Sequence, residues 1–389
     1  MVTVGLERFC REPGRWVRPG ERVGLLLNTA SVDREFRWAR DRVAALPGVR
    51  LRALFGPQHG VRSDVQDNMV ESPHGVDPVL GIPVWSLYAE RREPTAEMLD
   101  DLDVLLVDLW DVGCRVYTFI WTLRLAMAAC GRHGVRVVVL DRPNPLGRAA
   151  EGNLLEPQQR SFVGLEPIPM RHGLTVGELA LWFRSARGVE CELDVVPVEG
   201  WDPGGLWPGV GRPWIMPSPN MPTFDTALVY PGTVLLEGTT ASEGRGTTRP
   251  FEIVGGPWVE GEALARRLER YGLPGVVFRP VGFEPTFQKW AGRPCGGVHL
   301  HVTVPAAFRP YRTGLAILAA LWDLASDRGF GWRPPPYEYE TKRLPIHLLL
   351  GSERLREAIE AGADPRELES GWAEELRRWE EETATVRLY

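Results

Sequence analysis

Short apolar runs alternate with segments of helical period through the first 150 residues, the pattern of an open, mostly parallel α/β sheet. Residues 22–28 (RVGLLLN), 49–55, 103–109 (DVLLVDL) and 135–140 (VRVVVL) are predicted strands, with a shorter one over 82–87. Helices are expected over 36–46, from Pro94-Thr95 toward Leu99, and over 118–130 with Gly131 closing the last turn. The stretch 151–171 reads as loop. Thr175, with Glu178 three residues on, forms a capping box for a helix to Arg187. A strand over 192–198 follows, then a long irregular stretch, 201–222, dense in Gly, Pro and Trp. A second α/β unit starts near Pro257, with a helix over 260–271, strands over 276–280 and 298–304, and a helix over 313–326. The end, 345–379, reads as two short helices joined around 362–364.

The chain has 389 residues, enough for two domains, and 44% apolar with 25% charged residues excludes disorder and fibrous architectures. A net charge of −6 argues against nucleic-acid binding. Five scattered cysteines without a C-x-x-C pair suggest neither a zinc ribbon nor a disulfide framework, and so a reducing compartment. No basic-then-apolar leader and no run of eighteen apolar residues is seen, so a cytoplasmic protein without membrane partners is expected. No G-x-G-x-x-G or P-loop motif indicates a nucleotide, and no cofactor is expected. His299 and His301 share a strand face and could form half a metal site, but no companion ligands are evident and no metal is expected.

In open parallel sheets ligands bind beyond the carboxyl ends of the strands, so those positions are the place to look for a site. They carry Gln58 and His59 after the second strand, Asp108 and Asp111 after the third, and Asp141, Arg142 and Asn144 after the fourth. Arg171-His172 before a helix, Asn220 in the Trp-rich stretch and the glycine-bracketed run 237–249 add further groups. That run, with Glu237, Glu243, Arg245 and Arg249, suits a hydroxylated, anionic ligand: guanidinium for a carboxylate, Glu and Thr for sugar hydroxyls. Trp201, Trp207 and Trp214 could stack on a sugar.

The runs L-F-G-P-Q-H-G (54–60), D-V-G-C-R-V-Y-T-F (111–119), D-R-P-N-P-L-G (141–147), S-F-V-G-L-E-P-I-P-M-R-H-G-L-T-V-G-E-L-A (161–180), P-S-P-N-M-P-T (217–223), Y-P-G-T-V-L-L-E-G-T (230–239) and S-E-G-R-G-T-T-R-P-F (242–251) resemble a bacterial family associated with exo-β-N-acetylmuramidase activity. The resemblance implies a Rossmann-like domain over residues 1–250 and a smaller C-terminal α/β domain over 251–389, with the active site in the cleft between them. It also implies hydrolytic release of N-acetylmuramic acid from the non-reducing end of peptidoglycan fragments, with a small muropeptide or amino sugar as the partner. Arg245 or Arg249 would take the lactyl carboxylate, and Asn144 and Asn220 the hydroxyl and acetamido groups. Gln58, Asp108, Arg115, Tyr117, Asp141, Arg142 and Arg171 complete the expected binding set. Glycoside hydrolysis needs an acid and a second carboxylate or base. Glu243 is the expected acid/base and Asp111 its partner, with Glu237 in reserve and His59 and His172 positioning water or substrate.

The chain departs from the family at Gln58. The muramidase members carry glutamate there, and an amide cannot exchange a proton. The run V-Q-D-N-M-V-E (65–71) also sets this chain apart. Three readings follow: a muramidase using other acids, a hydrolase of a related sugar, or a sugar-binding protein that has lost catalysis.

Overall fold

The computed structural model describes residues 2–67 and 69–389. Helix α1 (Gly5–Arg11) precedes β1 (Arg22–Leu27), followed by α2 (Ala39–Ala44), β2 (Arg50–Gly56), a two-residue β3 (Gly75–Val76), β4 (Pro83–Ser86), α3 (Ala96–Leu99), β5 (Val104–Asp108), α4 (Phe119–His133) and β6 (Arg136–Leu140). An antiparallel pair, β7 (Glu151–Leu154) with β8 (Pro169–Arg171), then leads to α5 (Val176–Arg187) and β9 (Leu193–Val196). The main sheet has the order β3-β4-β2-β1-β5-β6-β9, and only β3 runs antiparallel to its neighbour. Leu25, Leu26, Leu105, Leu106, Val137 and Val138 are all buried, because the central strands are covered on both faces. The chain leaves β1 to build β2 on one side and returns to build β5 on the other. The carboxyl edge at that reversal is where loops diverge and a crevice opens.

The second half begins with α6 (Phe224–Thr233) and builds a three-stranded antiparallel sheet, β10-β12-β11, from β10 (Ile253–Gly256), β11 (Val276–Phe283) and β12 (Cys295–Val302). Helices α7 (Gly261–Glu269) and α8 (Pro310–Ala325) pack with it, and α9 (Pro345–Leu350), α10 (Glu353–Glu360), α11 (Pro365–Ser370) and α12 (Ala373–Thr383) close the chain. Helices α6 and α8 cross where Gly232 faces Gly314. A Cβ on Gly314 would sit 2.3 Å from the Gly232 carbonyl oxygen, so bulk is excluded on both sides. One continuous apolar core joins the halves, running through Phe119, Tyr230, Leu318 and Leu349.

Several expectations need correction. Gly131 lies inside α4 rather than ending it. The helix stops at Gly134, which adopts a left-handed φ of 68°, while a side chain on Gly131 would strike the Glu190 carbonyl at 1.7 Å. The expected loop over 151–171 holds the β7/β8 pair. Helix α2 starts at Ala39, not Phe36, because Phe36 has a positive φ of 60° that a helix cannot accommodate. The C-terminal segment forms four helices where two were expected, and α6 and β10 were not anticipated.

Arg115, expected to bind substrate, is instead a clamp between the halves. It is 0% exposed and its guanidinium donates to four carbonyls: Asn153 at 2.8 Å, Ile168 at 3.0 Å, Leu349 at 3.2 Å and Leu350 at 2.9 Å. Removing it takes a charged donor from all four buried acceptors, of which the Leu350 carbonyl keeps bonds from Asn153 Nδ2 and the Tyr311 hydroxyl. Arg115→Met is therefore expected to destabilise the fold by about 3 kcal/mol or more, read from urea denaturation followed by circular dichroism. A loss below about 1 kcal/mol would show that the clamp is dispensable.

Candidate active site

The turn after β2 brings Gln58 and His59 to the carboxyl edge, and the segment between β5 and α4 brings Tyr117 and Thr118. Asn220 comes from the Trp-rich stretch. The second half closes the opposite wall with Glu237, Arg245, Tyr337 and Glu338, and together these residues line a cleft of about 500 Å³, counting the part open to solvent.

A buried charge cluster fixes that wall. Arg245 Nη1 lies 2.7 Å from Glu237 Oε1 and 3.1 Å from Glu243 Oε1, and Lys289 Nζ donates to Glu243 Oε2 at 2.8 Å. The Tyr337 hydroxyl donates to Glu237 Oε2 at 2.7 Å. Burial opposes ionisation of Glu243, but Lys289 and Arg245 outweigh it and hold its carboxyl well below the usual range. Lys289 also donates to the carbonyls of Leu236 and Ala241, so the ammonium stays fully engaged.

Glu338 has no such cation. Its Oε1 accepts from Gln58 Nε2 at 3.0 Å and its Oε2 from the Tyr88 hydroxyl at 2.6 Å, and it forms no ion pair among the described residues. Burial pushes its carboxyl up to about 7, with the donors Tyr88 and Gln58 opposing and the nearby Glu237 adding to the rise. Thr118 Oγ1 donates to Gln58 Oε1 at 2.7 Å, which turns the amide's NH2 toward Glu338. Glu338 and Tyr339 have positive φ of 45° and 67°, an unusual pair for non-glycine residues. The turn is held by reciprocal 2.9 Å bonds between Tyr337 and Glu340 and by Arg92, whose guanidinium lies 3.3 Å from the Tyr339 ring centroid.

His59 Nδ1 is 2.7 Å from the Val65 carbonyl, so it carries the proton and leaves Nε2 as an acceptor. Burial pulls the imidazole down to about 4, so it is neutral near pH 7. Asn220 exchanges hydrogen bonds of 2.9 and 3.1 Å with the side chain and carbonyl of Gln66. Two buried lining groups keep unused capacity among the described residues: Arg245 Nε has no hydrogen-bond partner there, and the Tyr117 hydroxyl approaches Ser218 without reaching hydrogen-bond geometry.

Of the expected site residues, Gln58, His59, Tyr117, Asn220, Glu237 and Arg245 converge here. The others do not line the cleft. Glu243 and Asp111 are not a pair: Glu243 is spent on Arg245 and Lys289, while Asp111 accepts from Gly113 N at 2.6 Å and faces His172 Nε2 at 3.5 Å. His172 is buried and accepts from Leu174 N. Asp108 and Arg142 form a buried bidentate pair at 2.6 and 2.9 Å. Asp141 caps α5, accepting from Gly177 N and Thr175 Oγ1, and burial raises its carboxyl to about 6. Asn144 bonds the Leu174 carbonyl, Arg171 the Leu146 carbonyl, and Arg249 pairs with Glu252 at the surface.

Trp207 and Trp214 pack on Trp110 with centroids 4.4 and 5.3 Å away, and Trp201 on Tyr389 at 5.1 Å, so these rings support the loop rather than a sugar in this cleft. His299 and His301 flank Arg279, which donates toward both, a poor setting for a second cation. Asn68 of the 65–71 run lies outside the described residues. Sequence reasoning missed Glu338, Tyr337, Lys289 and Tyr88. The available signal for the first two was the alternation Tyr337-Glu338-Tyr339-Glu340 directly after a proline run.

The family model described as exo-β-N-acetylmuramidase NamZ, N-terminal, matches residues 23–225, and its C-terminal counterpart matches residues 228–389. The peptidoglycan β-N-acetylmuramidase NamZ of Bacillus subtilis (strain 168) is 44% identical over 306 residues, covering 78% of this chain and 74% of that protein. Two crystal structures of DUF1343 family proteins from Bacteroides fragilis NCTC 9343 superpose on the whole chain and on 99% of theirs. Their TM-scores are 0.88 and 0.79, with 33% and 25% identity. No helix among the described residues is long and apolar enough to cross a membrane.

The unpaired carboxyl has a consequence for stability. Because folding raises the Glu338 pKa from 4.5 to about 7, its acid form favours the folded state at low pH, and that contribution is lost as pH rises through about 7. Glu338→Gln, a neutral isostere, should be close to wild type at pH 4 and more stable by a few kcal/mol at pH 8. Urea midpoints at the two pH values check this. An equal difference at both would mean that folding leaves the Glu338 pKa at its ordinary value.

Proposed function

Because the chain belongs to the exo-β-N-acetylmuramidase family, we propose that its cleft hydrolyses the glycosidic bond that holds N-acetylmuramic acid at the non-reducing end of peptidoglycan fragments. The observation that supports this most is the convergence of two glutamates, Glu237 and Glu338, with contrasting partners: one beside an arginine, the other among neutral donors. Glycosidases need that contrast, a carboxylic acid for the leaving oxygen and a carboxylate for developing positive charge or water. Glu237 is oriented by Arg245 and Tyr337 for the second task. Arg245 Nε and the Tyr117 hydroxyl are buried donors with room for a ligand acceptor, and they suit the lactyl carboxylate and the sugar's oxygens. His59 Nε2 is a neutral acceptor for a sugar hydroxyl or water.

A second reading, a sugar-binding protein without turnover, draws on Gln58, an amide in a cleft where proton exchange is required. Incubation with an N-acetylmuramyl–N-acetylglucosamine disaccharide separates the two. Free N-acetylmuramic acid, detected by mass spectrometry, is the expected product, and Glu237→Gln should lower kcat/KM by ~10²-fold or more. Saturable binding with no product would support the second reading instead.

A further inference from the structure

Given the glycosidase reading of this cleft, the mechanism needs an acid, and most cleft groups are disqualified by their partners. Gln58 has no proton to exchange. His59 donates its Nδ1 proton to the Val65 carbonyl and presents an acceptor. Glu237 is 2.7 Å from Arg245, and Glu243 lies outside the lining between Arg245 and Lys289. Glu338 alone is a buried lining carboxyl, 5% exposed, whose contacts are neutral donors.

We propose that Glu338 is the catalytic acid that protonates the departing glycosidic oxygen, and that Gln58 is its positioning residue. Each carboxyl oxygen has two lone-pair directions, so a proton on either one leaves the bonds from Gln58 and Tyr88 in place. The Thr118–Gln58–Glu338 chain and the left-handed turn at Glu338 and Tyr339 fix the carboxyl's direction without neutralising it. The groups that set its acidity are the Glu237 carboxylate from the turn after α6, the Tyr88 hydroxyl and Arg92 guanidinium from the segment after β4, and the uncharged Gln58. In the reaction the Glu338 proton passes to the bridging oxygen as the C1–O bond breaks, and that bond's electron pair stays on the leaving sugar. Water then bonds to C1, and the proton it releases restores the acid form of Glu338.

This role predicts a dependence on the leaving group. An alcohol leaving group needs protonation, whereas a nitrophenolate departs without it. Glu338→Gln should therefore lose ~10²- to 10⁴-fold in kcat/KM on the disaccharide and far less on 4-nitrophenyl β-N-acetylmuramide. Tyr88→Phe removes a donor to the ionised carboxylate, so its kcat/KM alkaline limb should move upward by about half a pH unit or more. That readout keeps the test open if Glu338→Gln does not fold. Equal losses on both substrates, full activity of Glu338→Gln on the disaccharide, or an unmoved alkaline limb in Tyr88→Phe would overturn the assignment. A wild type inactive on both substrates would instead overturn the functional reading on which it rests.

Discussion

Charge balance among buried side chains is the constraint on which the site depends. Glu237, Glu243 and Glu338 are buried in or behind one wall, and the cations bonded directly to them are Arg245 and Lys289. Desolvation makes an unpaired charge expensive, so the two cations sit against Glu237 and Glu243, and Lys289 with Arg245 holds the Glu243 carboxyl ionised. The third carboxyl is left with an amide and a phenol, which stabilise a charge less than an ammonium would. Its proton is therefore retained to a higher pH, and one wall presents a carboxylate and a carboxylic acid together. Contrast between neighbouring acids is the property that general acid catalysis requires.

The scaffold makes this arrangement possible by joining two units around one core. The parallel sheet supplies Gln58 and His59 after β2 and Tyr117 and Thr118 after β5, the two strands that flank β1, at the carboxyl edge where the chain reverses direction across the sheet. The antiparallel unit supplies the charged wall. Arg115 reaches across to the carbonyls of α9, and the α6–α8 crossing at Gly232 and Gly314 sets how closely that wall approaches. Both devices act on the spacing of the cleft without touching a ligand.

Most of the first half was legible in the sequence, because central strands buried on both faces are written as apolar runs such as 103–109 and 135–140. The capping box at Thr175 and Glu178 was also plain. The strand-end search found the cleft's near wall but overcounted, since strand ends also host structural pairs such as Asp108–Arg142 and caps such as Asp141. The opposite wall was half legible: Glu237 and Arg245 stood out in the glycine-bracketed run, whereas Glu338 did not. Gln58 and Glu338 are 280 positions apart, and no local period or spacing encodes such a contact. The Trp-rich stretch misled for a related reason, because aromatic content does not say whether rings face a ligand or, as with Trp207 and Trp214, another indole.

The protonation state of Glu338 is the most direct measure of this charge balance. Infrared difference spectra of protein carrying 13C-labelled glutamate, wild type against Glu338→Gln, isolate its carboxyl from other buried acids such as Asp141 and Glu151. A protonated carboxyl stretch that persists at pH 6, disappears by about pH 8 and is absent from the variant is the predicted result. A Glu338 carboxylate band already complete at pH 5 would contradict it, because the acid and carboxylate would then not coexist in the cleft at neutral pH.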